Sequence, residues 1–310
     1  MVFYSFDDVL RVLRVFRETP CEVSDELRGW RWRDPPLLSP YRVHVNASDL
    51  SFRCDSGRFG YLRYVSRVRE KPNDDLLFGS VVHRIVVEAS TWAKGVIVHR
   101  RPSSGRLFYD EMTRVGDELR GDRVFSRFRD VFDSLWSSAC FVYSSALDRV
   151  LSSSRYLGWD GVAYRVVPWV CEFPVDGRLL GLNRAVRVDA LIPPNVLVEF
   201  KTRPPSRLFE VVLAGYGLCF ESMFHVPVNY GVILYINFEE GGRFRVYEHF
   251  VALDDALRME FVERRDLLLR VVAEKLDPGL PPECDKSCPY LKICRKDHAE
   301  SRLRVDDNSP

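Results

Sequence analysis

The chain contains no glutamine, and only seven of its 45 basic residues are lysine. No apolar run reaches the ~18 residues that a membrane-spanning helix needs, so no such span is expected. The opening stretch MVFYSFDDVLRVLRVF carries charges throughout, so a secretory leader is not expected and the protein reads as cytoplasmic. Net charge is also nearly absent. At +1 overall no global field draws in a polyanion, and a nucleic acid would have to be held by local patches. The arginine bias itself carries no functional reading. What is present is ample: 310 residues, 46% hydrophobic and 13% aromatic, suffice for one large domain or two modest ones with a sizeable core.

Cysteine is the informative residue. Eight are present, and Cys284, Cys288 and Cys294 crowd into the run CDKSCPYLKIC. A disulfide framework belongs to small secreted chains, so three thiolates at this spacing point to a metal. Tetrahedral sites and iron-sulfur clusters take four ligands, and the fourth is open between two solutions. His298 closes a Cys3His zinc site locally, whereas a distant cysteine, Cys21 and Cys54 among them, closes a cluster. Cys140, Cys171 and Cys219 lie in apolar contexts and read as small core residues.

Apolar positions Val9, Leu10, Val12, Leu13 and Phe16 predict a helix over 5–18, and 28–46 reads as irregular chain with Trp30, Trp32, Pro35, Pro36 and Pro40. Ser48 caps a short helical piece leading to Cys54. A basic, Tyr-rich stretch follows from Arg58 to Lys71, with Arg63 and Arg67 four apart on one expected helical face; this suits either a solvated surface or nucleic acid. Further helices are expected over 76–94, 112–150, 207–225 and 254–276. Strands are expected over 163–173, 184–192, 196–202, 228–237 and 243–250, with Pro193, Pro194 and Asn195 closing a hairpin. The polar end, 301–310, reads as a disordered tail.

The string RVDALIPPNVLVEFKT sets Asp189 on one hairpin strand and Glu199 and Lys201 two apart on its partner, hence on one face. Two converging carboxylates, with a backbone carbonyl such as that of Phe200, suit a hard divalent cation, and a lysine beside them can neutralise charge developing on a phosphate. E-x-K alone also suits an exposed surface pair. Within the apolar strand of Val196, Leu197, Val198 and Phe200, however, buried charge is costly without a task. His83, one turn after Gly79 in GSVVHRIVVEAS, adds an imidazole that favours Mn2+ over Mg2+.

The order G-x-x-x-H on a helix, then Asp, then E-x-K, then a helix bearing Tyr, resembles the RecB-like branch of the PD-(D/E)xK nucleases. With one upstream cysteine and three near the end, nearly the whole chain resembles the CRISPR-associated iron-sulfur exonucleases of the "Cas-four" family, in their longer archaeal "Csa-one" form. The resemblance implies an α/β fold: a mixed central sheet flanked by helices over 161–277, helical regions over 1–75 and 76–160, and a cluster segment over 278–300. It implies a [4Fe-4S] cluster on Cys54, Cys284, Cys288 and Cys294, and Mn2+ or Mg2+ on His83, Asp189, Glu199 and the Phe200 carbonyl. Lys201 matches the catalytic lysine, and Tyr216 matches the tyrosine of a Q-x-x-x-Y motif whose glutamine position here is Val212. The implied function is a metal-dependent nuclease on single-stranded DNA ends or overhangs, processing spacer precursors in CRISPR adaptation beside the integrase complex. The missing glutamine and a three-residue gap between Cys284 and Cys288, where two is usual, depart from the pattern. Alternatives are a non-catalytic DNA-binding subunit of the integration complex and a RecB-like repair nuclease.

Overall fold

In a computed structural model, residues 1–69, 74–154, 156–284, 286 and 288–296 are described. The sequence expectations at Lys71, His298 and 301–310 lie outside them. No described helix is long and apolar enough to cross a membrane.

Helix α1 (Phe6–Glu18) starts where the Ser5 backbone N–H donates to Asp8 at 2.9 Å, and it buries Val9, Val12 and Phe16 at helical spacing. Leu10 and Leu13, counted with that apolar stripe in the sequence, lie on its exposed side instead. The irregular stretch holds the short 3-10 turn Gly29–Arg31, and the helical piece expected after a Ser48 cap is a 3-10 turn over Ala47–Ser51 that begins at Asn46, with Ser48 inside it. The expected Arg-rich helix is a correction. Helix α2 (Arg58–Gly60) passes into a π-turn at Tyr61–Val65, and Arg67 takes φ 54°, so Arg63 and Arg67 share no helical face. Arg58 pairs with Asp277 and Arg63 with Asp49, so internal carboxylates claim both guanidinium groups.

Helix α3 (Asp74–Gly95) carries His83. The expected 112–150 helix is three: α4 (Gly105–Leu119), α5 (Arg123–Arg127) and α6 (Arg129–Ser153), with Asp122 capping α5 through the Val124 N–H. The first expected strand is half wrong as well. Residues Trp159–Val166 form α7, because Val162, Ala163 and Val166 are buried at helical rather than alternating spacing, and β1 (Val170–Val175) begins only afterwards.

Strands β2 (Val186–Ile192), β3 (Val196–Lys201), β4 (Tyr230–Phe238) and β5 (Phe244–Ala252) complete a five-stranded sheet in the order β1-β2-β3-β4-β5. Only β3 and β4 are parallel, and α8 (Arg207–Phe224) makes the crossover between them. The β2–β3 hairpin turns at Pro193 and Pro194 as expected. Helix α9 (Asp255–Glu274) follows β5. The sheet separates two cores. Val198, Phe200, Val232 and Leu234 face the helices α1 and α3 to α7, while Leu197, Ile233 and Tyr235 face α8 and α9.

Alternation fails at one place. Cys171 and Ala190 are paired and belong to the first core, whereas Phe173 and Val188, two residues along, belong to the second. Between them Glu172 takes φ 52°, a left-handed conformation uncommon for a non-glycine residue, and the residue opposite is Asp189. The sheet therefore turns over at Asp189.

The second core encloses a carboxylate. Glu221 of α8 is fully buried and accepts from Arg258 at 2.8 and 3.0 Å, from Arg28 at 3.0 Å, and from the backbone N–H groups of Gly29 and Val228 at 2.7 and 2.8 Å. One side chain thus joins α8, α9 and the irregular N-terminal segment. Removing one partner of a buried ion network leaves uncompensated charge, so Glu221→Ala is expected to lower unfolding stability by about 3–5 kcal/mol in urea titration. A loss within about 0.5 kcal/mol, the usual range for a surface change, would contradict this.

Candidate active site

The end of β3 is where the sheet opens. Its pairing with β2 runs from Ile192↔Val196 to Ala190↔Val198, while its pairing with β4 continues to Lys201. Beyond Val198 the backbone has no β2 partner, and side chains take its place. The Phe200 N–H donates to Asp189 Oδ2 at 2.7 Å, and the Phe200 carbonyl lies 2.8 Å from His83 Nε2. The other imidazole nitrogen, Nδ1, is 3.3 Å from Asp189 Oδ1. His83, Asp189 and the Phe200 peptide thus form one closed unit contributed by α3, β2 and β3.

Glu199 and Lys201 stand together on the same strand. Lys201 Nζ donates to Glu199 Oε2 at 2.5 Å and sits 5.5 Å from the centroid of the Phe209 ring. Glu199 is 2% exposed, and its Oε1 is buried with no hydrogen-bond partner among the described residues. A buried, unpartnered carboxylate oxygen is expensive. Burial first, and then the Asp189 charge, push the Glu199 carboxyl up to about 7 against the pull of Lys201. Burial would raise Asp189 as well, but the charges of His83 and Lys201 and the two hydrogen bonds hold it below the usual carboxylate range. His83 and Lys201 are each lowered by burial and raised further by the carboxylates, so both end above their ordinary values.

His83, Phe200 and Lys201 border a cleft of about 280 Å³ that Gly79, Thr202 and Arg203 also line. Gly79 is bare at its rim; a Cβ there would stand 3.1 Å from the Thr202 hydroxyl. The structure thus brings His83, Asp189, Glu199, Phe200 and Lys201 to one place. Tyr216, on α8, is buried beside them, and burial first and then Glu199 and Asp189 raise its hydroxyl far above the ordinary phenol value. Val212 lies inside the second core. Among the described residues, no group of three or more His, Cys, Asp or Glu side chains is gathered as a ready metal site. Asp189 turns to His83 and Glu199 to Lys201, each carboxylate taking a cation rather than facing the other.

The four cysteines from distant parts of the chain border one apolar cluster, without being gathered as a ready metal-binding group among the described residues. Cys294 is buried with Phe59, Leu62 and Tyr290, and Cys54, Cys284 and Cys288 pack against this group. Cys54 Sγ accepts from the Phe59 N–H at 3.3 Å. Cys21 is elsewhere, beside Arg258, Arg28 and Asp254, and Asn229 donates to its carbonyl. Cys140 and Cys219 are buried, and burial pushes both thiols up to about 12. His298 is outside the described residues. Sequence reasoning missed Arg203 and Phe52, which border this region. Their only sequence signal is position, Arg203 two residues after Lys201 and Phe52 two before Cys54.

A family model for the CRISPR-associated exonuclease Csa1 matches residues 1–297. A CRISPR-associated exonuclease Csa1 of Saccharolobus solfataricus is 32% identical over 304 residues, covering 94% of this chain and 99% of that protein. Another, of Thermoproteus tenax, is 31% identical over 291 residues, covering 93% and 98%. No solved structure matches. A match that runs through both the β3 site and the cysteine segment leaves little of the chain outside it: the protein belongs to the CRISPR-associated exonuclease Csa1 family.

Proposed function

We propose that the protein is a metal-dependent DNA exonuclease of RecB-like, PD-(D/E)xK type that trims single-stranded ends or overhangs of spacer precursors during CRISPR adaptation, alongside the integrase. The observation that carries this reading is the Glu199 and Lys201 pair at the open end of β3, next to the His83, Asp189 and Phe200 unit, in a relative of proteins named exonucleases.

The donor set suits a hard or borderline divalent cation: one imidazole, two carboxylates and a backbone carbonyl. Glu199 Oε1, buried without a partner, is the kind of atom a cation would satisfy, and the raised Glu199 carboxyl marks a place where more positive charge is favourable. His83, Asp189, Glu199 and the Phe200 carbonyl would hold Mn2+ or Mg2+. When bound, such an ion supplies the charge that polarises a scissile phosphodiester and acidifies water.

The chain's own residues do the remaining work. Lys201, kept charged by Glu199 and Asp189, offers a fixed ammonium to the charge that builds on the phosphate. Asp189, tied to the Phe200 N–H, holds the β3 backbone so that its carbonyl faces His83. Tyr216, protonated at working pH, is a buried donor at the back of the site. Cys54, Cys284, Cys288 and Cys294 would hold a [4Fe-4S] cluster with a structural task, fastening the segment around Tyr290 to that around Phe59.

Two results are expected. With Mn2+ and a labelled single-stranded oligonucleotide, Glu199→Ala and Lys201→Ala each lower the cleavage rate by about 100-fold or more, the scale for losing a preorganised charge at the reacting phosphate. Cleavage at the unaltered rate in both variants would contradict the nuclease reading. The second result is optical. Anaerobically purified protein shows a broad band near ~400 nm that Cys54→Ser abolishes and His298→Ala leaves, with iron rather than zinc bound. Colourless protein holding zinc that is lost with His298 would contradict the cluster.

A further inference from the structure

Phe59, Leu62, Tyr290 and Cys294, with the other three cysteines packed against them, make a cysteine lobe. It adjoins the cleft through rings. Tyr290 meets Phe59 edge-on at 5.3 Å and Phe59 stacks on Phe52 at 5.1 Å. Phe52 and Phe209 of α8 in turn hold the Arg203 guanidinium carbon between them, at 5.3 and 4.9 Å. The outside of the lobe is different in kind. Residues 291–296 are helical, and Lys292, Arg295 and Lys296, spaced i, i+3 and i+4, are exposed on one face while Cys294 is buried. The Tyr290 hydroxyl donates to the Val68 carbonyl at 3.1 Å, which draws a second segment alongside, with Arg67 and Arg69 exposed before and after Val68.

Pairing sets these cations apart. Several helical arginines elsewhere meet a carboxylate one turn away: Arg84 with Glu88, Arg106 with Asp110, Arg114 with Glu111 and Arg264 with Glu260. Around the lobe itself Arg53 pairs with Asp55 and Glu283, Arg58 with Asp277 and Arg63 with Asp49. Lys292, Arg295, Lys296, Arg67 and Arg69 have no ion-pair partner among the described residues. Their neighbours in sequence Glu70 and Asp297 lie outside those residues. Lys292 and Lys296, four apart, repel each other, a local cost that a bound polyanion would remove. In a chain of net charge +1 the face is a local feature, not part of a general field. The rings Phe59 and Tyr290 are buried beneath it, so it offers charge and not a stacking surface.

We infer that this face of the cysteine lobe binds the phosphate backbone of duplex DNA, the part of an overhang-bearing substrate that lies behind the strand to be trimmed. The inference rests on the nuclease reading above for the identity of the substrate. Contacts of this kind position a nucleic acid without reading its sequence. The lobe then holds the duplex while the end of β3 acts on the single strand.

The test measures binding without divalent cation, over a range of salt, for a duplex with a single-stranded overhang and for the overhang strand alone. Each neutralised phosphate contributes about 0.9 to the slope of log K against log salt. Lys292→Gln, Arg295→Gln and Lys296→Gln combined flatten the slope for the overhang duplex by about 2.7, and for the single strand by less than about 1. Arg67→Gln with Arg69→Gln flattens the duplex slope by up to about 1.8. Glutamine matches lysine and arginine in helix propensity, so the urea midpoint stays in place. If the triple variant melts early, the three single variants carry the comparison, each flattening the duplex slope by about 0.9.

An unaltered duplex slope in these variants, or equal flattening for duplex and single strand, overturns the inference. So does lost binding to anionic phospholipid vesicles with duplex binding intact, which would assign the face to a membrane surface. Failure of the nuclease reading looks different: Glu199→Ala cuts like wild type, while the divalent-free slopes still return their own answer.

Discussion

A carboxylate buried in the middle of a sheet governs this protein. Glu199 sits in β3, the central strand, with apolar side chains before and after it and only 2% of its surface exposed. Charge at such a place must be compensated or withdrawn. Here compensation is partial, since Lys201 takes one oxygen and nothing among the described residues takes the other. The surroundings follow from that constraint: β3 parts from β2 after Val198, freeing the Phe200 peptide for Asp189 and His83, and the cleft opens there and not along the sealed strands.

Two other features hold that arrangement. Glu172, in a left-handed conformation, turns the edge of the sheet over at the level of Asp189, so that residues two apart serve opposite cores. Such local strain persists only where its surroundings over-determine it, and it tends to lie at functional sites. Glu221 performs the complementary task in the second core, pinning α8, which carries Tyr216 and Phe209, to α9 and to Arg28. The cysteine lobe reaches the same cleft from a third direction through Phe52. Strand β3, the crossover helix α8 and the cysteine lobe thus meet around Lys201 and Arg203.

Much of the site is legible in the sequence because its logic is local. Alternation alone puts Glu199 and Lys201 on one face, and the Pro193–Pro194 turn brings Asp189 opposite them. The expected grouping of Cys54 with Cys284, Cys288 and Cys294 comes instead from the family resemblance, since no short-range pattern ties residues so far apart. The failures are equally physical. Ala163 and Val166 lie in the stretch that reads as strand by composition, yet together with Val162 their burial follows a helical period. The Arg63 and Arg67 face dissolves because the chain leaves its π-turn at Val65 and because Asp49 claims Arg63. Neither the left-handed Glu172 nor the clamp on Arg203 leaves a trace in spacing, since each depends on which distant ring or strand arrives beside it.

Glu199, Asp189, His83 and the Phe200 carbonyl are the proposed cation site at the end of β3. Crystals of the protein soaked in Mn2+ and measured at the manganese absorption edge test it without recourse to activity. An anomalous peak beside Glu199 Oε1, within coordinating reach of His83 and Asp189 and absent from Glu199→Ala crystals, is the predicted result. Manganese bound only elsewhere, with Glu199 still paired to Lys201 and its second oxygen still unpartnered, would contradict it.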